Sequence, residues 1–548
     1  MTKKTEGLLL LVILLLASFL RFWQLRNNPI SLYWDEAAIG LDAYSISQTG
    51  KDMNNQHWLA PVLGSYGDFK APVLIWLSSL SVRVFGLNAF AIRLPVTIFS
   101  ILSVYLIYML VRELLLLEPR LKRYRFMPLL TALMLAISPW SVHFGRIGLE
   151  SSLSVAFLLL ALIFFLRAVR TQAWYFLVST VFASISVYSY YSLRLIVPLL
   201  CASLIVIFWH KIKNRKLWLA AAMLFFVLSM IPMLRSPYYA RSQDYRLNNN
   251  NLIHHRQAIE ESSAYLEKYN SSLLARLVYH RYVFVTRDFL VNMSSHFSVD
   301  FLFLRGDSNL RQHSGYLGEL FLVTAPFFYL GALLLVLNWR SKLSWFLLAL
   351  MLLSPIPAAM VYEVPHASRA IYLLLPFSIL IAWGLNEFYL RAGKILLLIV
   401  IGIFALNAIF YYSDYFIDYK SRSSAAWLYS YNQVAIYLRD HYQEFSKIEI
   451  DERYWLPRIF VYYQFPELLE STRELKNAFL NSPVNSFGLP DPFAYLLDDK
   501  DVGKKLAKFI YYEEKIPEGY EKIEEFNFLD GEPSLILVVK EGQMKKND

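Results

Sequence analysis

The chain has 548 residues, of which 56% are hydrophobic, 16% aromatic and only 18% charged, against about 25% charged in a soluble domain. That balance excludes an ordinary soluble enzyme and reads as a mainly α-helical polytopic membrane protein. The net charge of +10 does not indicate a nucleic-acid partner, because lysine and arginine lie in short clusters between apolar runs, as topology signals do. The single cysteine, Cys201, lies inside an apolar run, which excludes an intramolecular disulfide and a thiolate metal cage.

From the N-terminus, Lys3 and Lys4 precede the apolar run Leu8 to Leu20, and no small-residue cleavage site follows. This reads as an uncleaved first span. Stretches long enough to cross the hydrocarbon core give about eleven spans: 7–25, 90–111, 127–144, 150–168, 173–190, 194–209, 217–234, 317–338, 343–360, 370–387 and 394–412. The basic connections hold Arg120, Lys122, Arg123 and Arg125; Arg167 and Arg170; Lys211, Lys213, Arg215 and Lys216; Arg340 and Lys342; and Arg391 and Lys394. All fall on one side, expected to be cytoplasmic together with the N-terminus. Val73 to Phe85, between Pro72 and Gly86, is too short to span and is expected to lie as a helix on the outer leaflet.

Three segments then face outward: a first loop at 26–89, a loop at 235–316 with a helical pattern from Arg256 to Leu277, and a tail from 413. The tail combines a helical pattern at Ala425 to Tyr442 with β-branched and aromatic runs at Ile459 to Tyr463 and Leu535 to Val539. The expected organisation is a transmembrane domain at 1–412 and a small extracytoplasmic α/β domain at 413–548, in a multi-pass plasma-membrane protein. The sequence holds no internal repeat and no GxxxxGK[ST] phosphate loop, so ATP-driven work has no visible engine.

Charge beside a span is expensive unless used, which draws attention to Tyr33-Trp34-Asp35-Glu36-Ala37-Ala38 and Gly67-Asp68-Phe69-Lys70-Ala71-Pro72 in the first outer loop. Asp35 suits a general base, which must reach the proton it removes; read structurally, it is a helix N-cap. Lys70 suits an ammonium pairing a phosphate at headgroup depth, or a lysine snorkelling to the interface. On the same side fall Arg93, the Arg146 and Glu150 of Gly145-Arg146-Ile147-Gly148-Leu149-Glu150, and the His366 and Arg369 of Pro365-His366-Ala367-Ser368-Arg369. Arg146 and Glu150 are candidate substrate contacts or a loop ion pair. The guanidinium of Arg369 offers bidentate phosphate binding. Asp307, Arg311 and His313 crowd a further outer loop, but their spacing fits no standard ligand pattern. No metal site is assigned and no cofactor is required, although a divalent metal is compatible with the chemistry.

The Asp-Glu pair after span one, the Lys-x-Pro heading a juxtamembrane helix, the span-two arginine and Arg369 ahead of Pro376 together resemble the GT-C glycosyltransferases. The chain is most similar to glycosyltransferase family 39, the dolichyl-phosphate-mannose protein mannosyltransferases and the lipid A aminoarabinose transferase. The likeness covers 1–412 in layout and is strongest over 20–150. It implies a GT-C fold, a donor sugar on a polyprenyl phosphate, and an acceptor glycan, lipid or protein. It further implies that Asp35 activates the acceptor with Glu36 as the second acid, and that Lys70, with Arg93, Arg369 and His366, contacts the donor phosphate. Expected chemistry is inverting sugar transfer, the leaving phosphate met by cations. A lipid-linked sugar transporter or flippase would call for inverted repeats and helix breaks at matched places, which the sequence lacks; an oligosaccharide transferase or ligase is the near alternative.

Overall fold

The computed structural model describes residues 2–65, 68–249, 251–252, 256–453, 457–471 and 504–541; Gly67, which opens the second outer-loop motif, falls outside them. Every expected span contains helix, as it must where no water is at hand to satisfy backbone groups. Among the described residues, seven segments are long and apolar enough to cross a membrane: Lys3–Phe22, Ala89–Leu117, Glu150–Arg170, Leu193–Leu234, Lys342–Ala359, Ile371–Arg391 and Lys394–Ile417. Leu193–Leu234 takes in two of the expected spans, joined by a tight turn at Lys213–Arg215. Met127–Ile137, Tyr175–Ser189 and Leu322–Leu337 are shorter apolar helices. The stretch expected as one span at 127–144 breaks at Ser138, whose hydroxyl caps a new helix, Pro139–Phe144. Proline has no N–H to continue the first helix and is at home in the first turn of the second.

The residues group into two compact units: Met1–Trp23, Val96–Arg146 and Glu150–Ser413 form one, and Gln24–Pro95, Ile147–Leu149 and Asp414–Asp548 the other. The outer-loop segment therefore belongs with the tail, a division different from a boundary at residue 412.

In the first unit, charge inside the apolar helices is consumed locally. Arg21 is fully buried and donates to Ser100 Oγ at 2.7 Å, Ser141 Oγ at 2.8 Å and the Ala136 carbonyl at 2.9 Å. Glu113 takes Arg167 at 3.0 Å and Arg170 at 2.8 Å. Glu387 takes Tyr124 at 2.7 Å and Arg123 at 3.2 Å, with Arg391 beside it at 2.5 Å. The Ala325–Leu337 and Leu374–Arg391 helices meet through reciprocal glycines. A Cβ on Gly331 would sit 2.0 Å from the Leu380 carbonyl oxygen, and one on Gly384 would sit 2.0 Å from that of Phe327. Small residues allow this backbone approach where hydrophobic burial gives helices no reason to pair.

In the second unit, the helix Trp34–Thr49 is buried almost all round. It packs on Pro72–Phe85, the expected juxtamembrane helix, which starts with proline in its first turn and ends at Gly86. Between them a two-stranded hairpin pairs β1 (Leu63–Ser65) with β2 (Asp68–Lys70). Asp42, fully buried, ties the helix to this hairpin by accepting from the Met53 N–H at 3.1 Å and Ser65 Oγ at 2.9 Å. The tail supplies a four-stranded sheet of β3 (Phe445–Ile450), β4 (Lys505–Tyr511), β5 (Glu521–Asn527) and β6 (Pro533–Lys540) in the order β3-β4-β6-β5, with β3 parallel to β4 and the rest antiparallel. The Leu535 to Val539 run is a strand, as its β-branched content suggested. Its alternate residues Leu535, Leu537 and Val539 face the Tyr429–His441 and Arg458–Gln464 helices, while Ile536 and Val538 pack with Ile510 on the opposite face. The Ile459 to Tyr463 run is helical: with Ile459, Phe460, Val461 and Tyr462 all buried, tertiary packing overrides β-propensity. The Trp34–Thr49 helix shares this core through Ala37, Ala38 and Leu41.

Candidate active site

Asp35 is the second residue of its helix, which begins at Trp34 with Tyr33 as N-cap. It is therefore not the cap, although a carboxylate in the first turn also suits the helix dipole. Strand β2 carries Lys70 back to it, and the ammonium bonds directly to Asp35 Oδ1. Asp68 Oδ2 stands 3.4 Å from the same nitrogen, and the Trp34 ring lies 5.2 Å beneath it. The lysine side chain is 5% exposed and that of Asp35 21%, so the cation is held inside while the carboxylate keeps an open edge.

Glu36 and Arg93 are both fully buried. Arg93 Nε and Nη2 meet Glu36 at 2.9 and 3.0 Å. Its remaining donors go to the carbonyls of Leu25 at 3.1 Å, Pro29 at 3.0 Å and Ser31 at 2.8 Å. Glu36 Oε1 also accepts from the Gly148 N–H at 2.7 Å. All five guanidinium donors of Arg93, expected to contact the donor phosphate, are thereby used within the protein. Both oxygens of Glu36, expected as the second acid, thus accept hydrogen bonds from within the protein. A Cβ on Gly148 would stand 3.1 Å from Glu36 Oε1, so the close approach of backbone to carboxylate depends on glycine there.

The other expected residues belong to the first unit. Arg146, expected at a substrate loop, is buried and donates to carbonyls in the last turn of the first helix, Leu20 at 2.9 Å and Arg21 at 3.0 Å, as suits a helix C-terminus. Glu150 opens the Glu150–Arg170 helix. Asp307, 5% exposed, accepts from the N–H groups of Ala367 and Asn309, each at 2.9 Å, and its own N–H donates to Glu319 Oε1 at 3.1 Å. It thus clasps the 305–313 loop to the Pro365-to-Arg369 turn, and burial raises its carboxyl above the usual range. Glu319 beside it is fully buried. His313 is 2% exposed, its ring against Gly306. The Arg311 carbonyl accepts from His143 at 2.8 Å. His366 packs by Gln312 at 3.3 Å, and burial followed by Arg369, His296 and Arg311 pushes its imidazole well below the usual range. His296, also buried, falls to about 4. Among the described residues no three His, Cys, Asp or Glu converge on a metal-holding geometry.

Arg21, Glu319 and His296 were not singled out in the sequence. Arg21 and Glu319 each sit inside a stretch assigned to a span, and a charge there is itself a signal. For His296 no sequence signal exists.

The family model for dolichyl-phosphate-mannose-protein mannosyltransferase matches residues 69–234, under a third of the chain. No curated protein sequence matches. Among solved structures, ArnT from Cupriavidus metallidurans bound to undecaprenyl phosphate superposes with a TM-score of 0.51 at 9% identity, covering 98% of either chain. The Archaeoglobus fulgidus oligosaccharyltransferase, with zinc and sulfate, gives 0.45 at 15% identity over 79% of this chain and 55% of its own. The fold is thus GT-C-like over nearly the whole chain, as the resemblance implied.

Proposed function

We propose that the protein transfers a sugar from a polyprenyl phosphate to an acceptor hydroxyl at the outer membrane face, with inversion. The observation that carries this reading is the partly exposed carboxylate of Asp35 bonded to the enclosed ammonium of Lys70, on a GT-C-like fold that one solved structure shares while holding undecaprenyl phosphate. Before the donor arrives, the two charges compensate each other. When the donor phosphodiester enters, Lys70 turns to its phosphate and leaves Asp35 to accept the acceptor proton. The acceptor oxygen bonds to the anomeric carbon as the carbon–oxygen bond to phosphate breaks. The polyprenyl phosphate departs with one more negative charge, which Lys70 meets. Glu36 and Arg93 hold the first turn of the helix in place through Tyr33, Ser31 and Gly148.

The test is transfer by the purified protein in nanodiscs from polyprenyl-phosphate sugars, with the product's anomeric configuration read by NMR. Inversion is expected, and Asp35→Asn lowers turnover by about 10² or more, the usual worth of a positioned base, while donor binding survives. Near-normal turnover in that variant, or retention, overturns the reading. The outward tail is tested by a reporter active only in the cytoplasm, fused after Asp548, which should stay silent.

A further inference from the structure

Within the first unit, a short helix, Leu273–Val278, stands between the helices Arg256–Lys268 and Arg281–Ser295. The Ser272 hydroxyl starts it by accepting from the Ala275 N–H at 3.2 Å. Ser262 Oγ donates to the Tyr279 carbonyl at 2.7 Å and Arg287 meets Glu261 at 3.0 Å, so the three helices form one packed hairpin. Ala275 is buried in it, and the leucines around Ala275 are turned out: Leu273 is 82% exposed, Leu274 75% and Leu277 71%. Val278, Tyr282 and Val283 follow, each about half exposed. Two turns beyond Val283, Leu290 and Val291 are exposed as well, and that spacing keeps them near its face of the helix. The exposed positions of Arg256–Lys268 are mostly polar by contrast, among them Gln257, Glu260, Ser263 and Glu267. Contiguous apolar surface of this kind marks a contact with protein or with membrane.

Two observations identify the bilayer as what it meets. The first is where the hairpin is rooted: Asn292 Nδ2 donates to the carbonyls of Ala359 at 3.2 Å and Val361 at 2.9 Å, and Ala359 ends the apolar segment Lys342–Ala359. Tyr282 stands ten residues of helix from that root, about 15 Å at 1.5 Å per residue, so the patch lies within reach of the membrane boundary. Further along, Val299 and Leu304 are about half exposed, and Phe303 packs on Tyr329 of the apolar helix Ala325–Leu337 with ring centres 6.2 Å apart. Apolar surface thus continues from the hairpin toward the spanning helices. The second is what flanks the leucines. Tyr269 and Tyr279 stack at 5.2 Å, Arg281 donates to the Tyr282 hydroxyl at 3.0 Å, and Arg276 is exposed among the leucines themselves. Tyrosine and long basic side chains beside apolar ones are the composition of the headgroup belt. We infer that the Leu273–Val278 helix and the adjoining face of Arg281–Ser295 lie in the leaflet on the side where residues 235–316 emerge, with Leu273, Leu274 and Leu277 below the headgroups and Arg276 and Arg281 among their phosphates. This surface shares no residue with the Asp35–Lys70 cluster and stands whether or not the transfer reading does.

The experiment uses the full chain with Cys201→Ser, in phosphatidylcholine nanodiscs that hold one copy each. A nitroxide is attached at Leu274→Cys or, as the water-facing control, at Ser263→Cys. Power-saturation EPR with oxygen, which concentrates in hydrocarbon, and with a water-soluble nickel chelate gives the depth of each label. The label on Leu274→Cys should be relaxed by oxygen and shielded from nickel, about 5–10 Å inside the headgroup boundary, the depth of an interfacial helix. The label on Ser263→Cys should meet the nickel. Adding Leu273→Asp and Leu277→Asp should bring the first label out to the chelate while the melting temperature stays as it was, because both positions are exposed. Three results overturn the inference: nickel access at Leu274→Cys equal to that at Ser263→Cys, a depth unmoved by the two aspartates, and shielding found only in discs that hold two copies, which makes the patch a contact between chains.

Discussion

Removing either partner of the Glu36–Arg93 pair should cost far more than removing both costs beyond one. Both side chains are fully buried, and the carboxylate accepts from Arg93 at 2.9 and 3.0 Å and from the Gly148 N–H at 2.7 Å. Glu36→Ala leaves a buried guanidinium with only three carbonyls, and Arg93→Ala leaves a buried carboxylate together with those carbonyls. Each single change should cost about 3–5 kcal/mol, the usual penalty for an uncompensated buried charge. The double variant has no such charge, so its cost should resemble one single change rather than the sum, a coupling of about 3 kcal/mol. Denaturation in nanodiscs of wild type, both singles and the double measures it, with apparent melting temperatures giving at least the rank order. A double variant destabilised by the full sum would refute the reasoning. Glu36→Gln separates support from chemistry: it should melt earlier than wild type yet, when cold, lose much less turnover than Asp35→Asn. Equal loss with unchanged melting would make Glu36 a reacting group.

Gly331→Ala should destabilise the protein by roughly 1–3 kcal/mol through overpacking, since its Cβ would meet the Leu380 carbonyl at 2.0 Å, whereas Gly402→Ala, inside a helix with nothing within 4 Å, should not lower the melting temperature; equal losses would deny the glycine contact any role. His296 donates through Nδ1 to the Asn292 carbonyl at 2.8 Å and accepts at Nε2 from the His366 N–H at 3.1 Å, which fixes it as neutral. Its pKa, lowered from 6.5 to about 4 by burial, means that its contribution is intact above about pH 6.5 and is lost as pH falls toward 4. Raised Asp307 works in the opposite direction, so the comparison is melting at pH 7.5 and pH 5 for wild type and His296→Gln. The variant should lose less on acidification, and equal loss would clear His296.

What could be read from the sequence were the features carried by local runs. The apolar stretches are helices, the proline at position 72 starts one, and the β-branched run at 535–539 is a strand. Asp35 and Lys70, 35 positions apart, were paired only by sharing a face of the membrane; the hairpin that joins them is three residues per strand and gives little periodic signal. The burial of Arg93 could not be read locally, because the carbonyls that take its donors come from an irregular segment with no pattern. The break at Ser138-Pro139 was legible in principle, since proline in an apolar run marks a helix boundary.

The helix bearing Asp35 rests its apolar back, Ala37, Ala38 and Leu41, on side chains as late as Leu537 and Val539. During synthesis the first outer-loop segment must therefore wait for about 450 further residues to emerge before its partner surface exists. At translation rates of about 5–20 residues per second that interval is roughly 20–90 s. Throughout it the acidic helix has no tail to pack on, so a ribosome stalled before the Pro533–Lys540 strand leaves a product with its apolar helices made and the Asp35 helix unseated. Premature stop codons within the Pro533–Lys540 strand should therefore silence the protein as thoroughly as early ones.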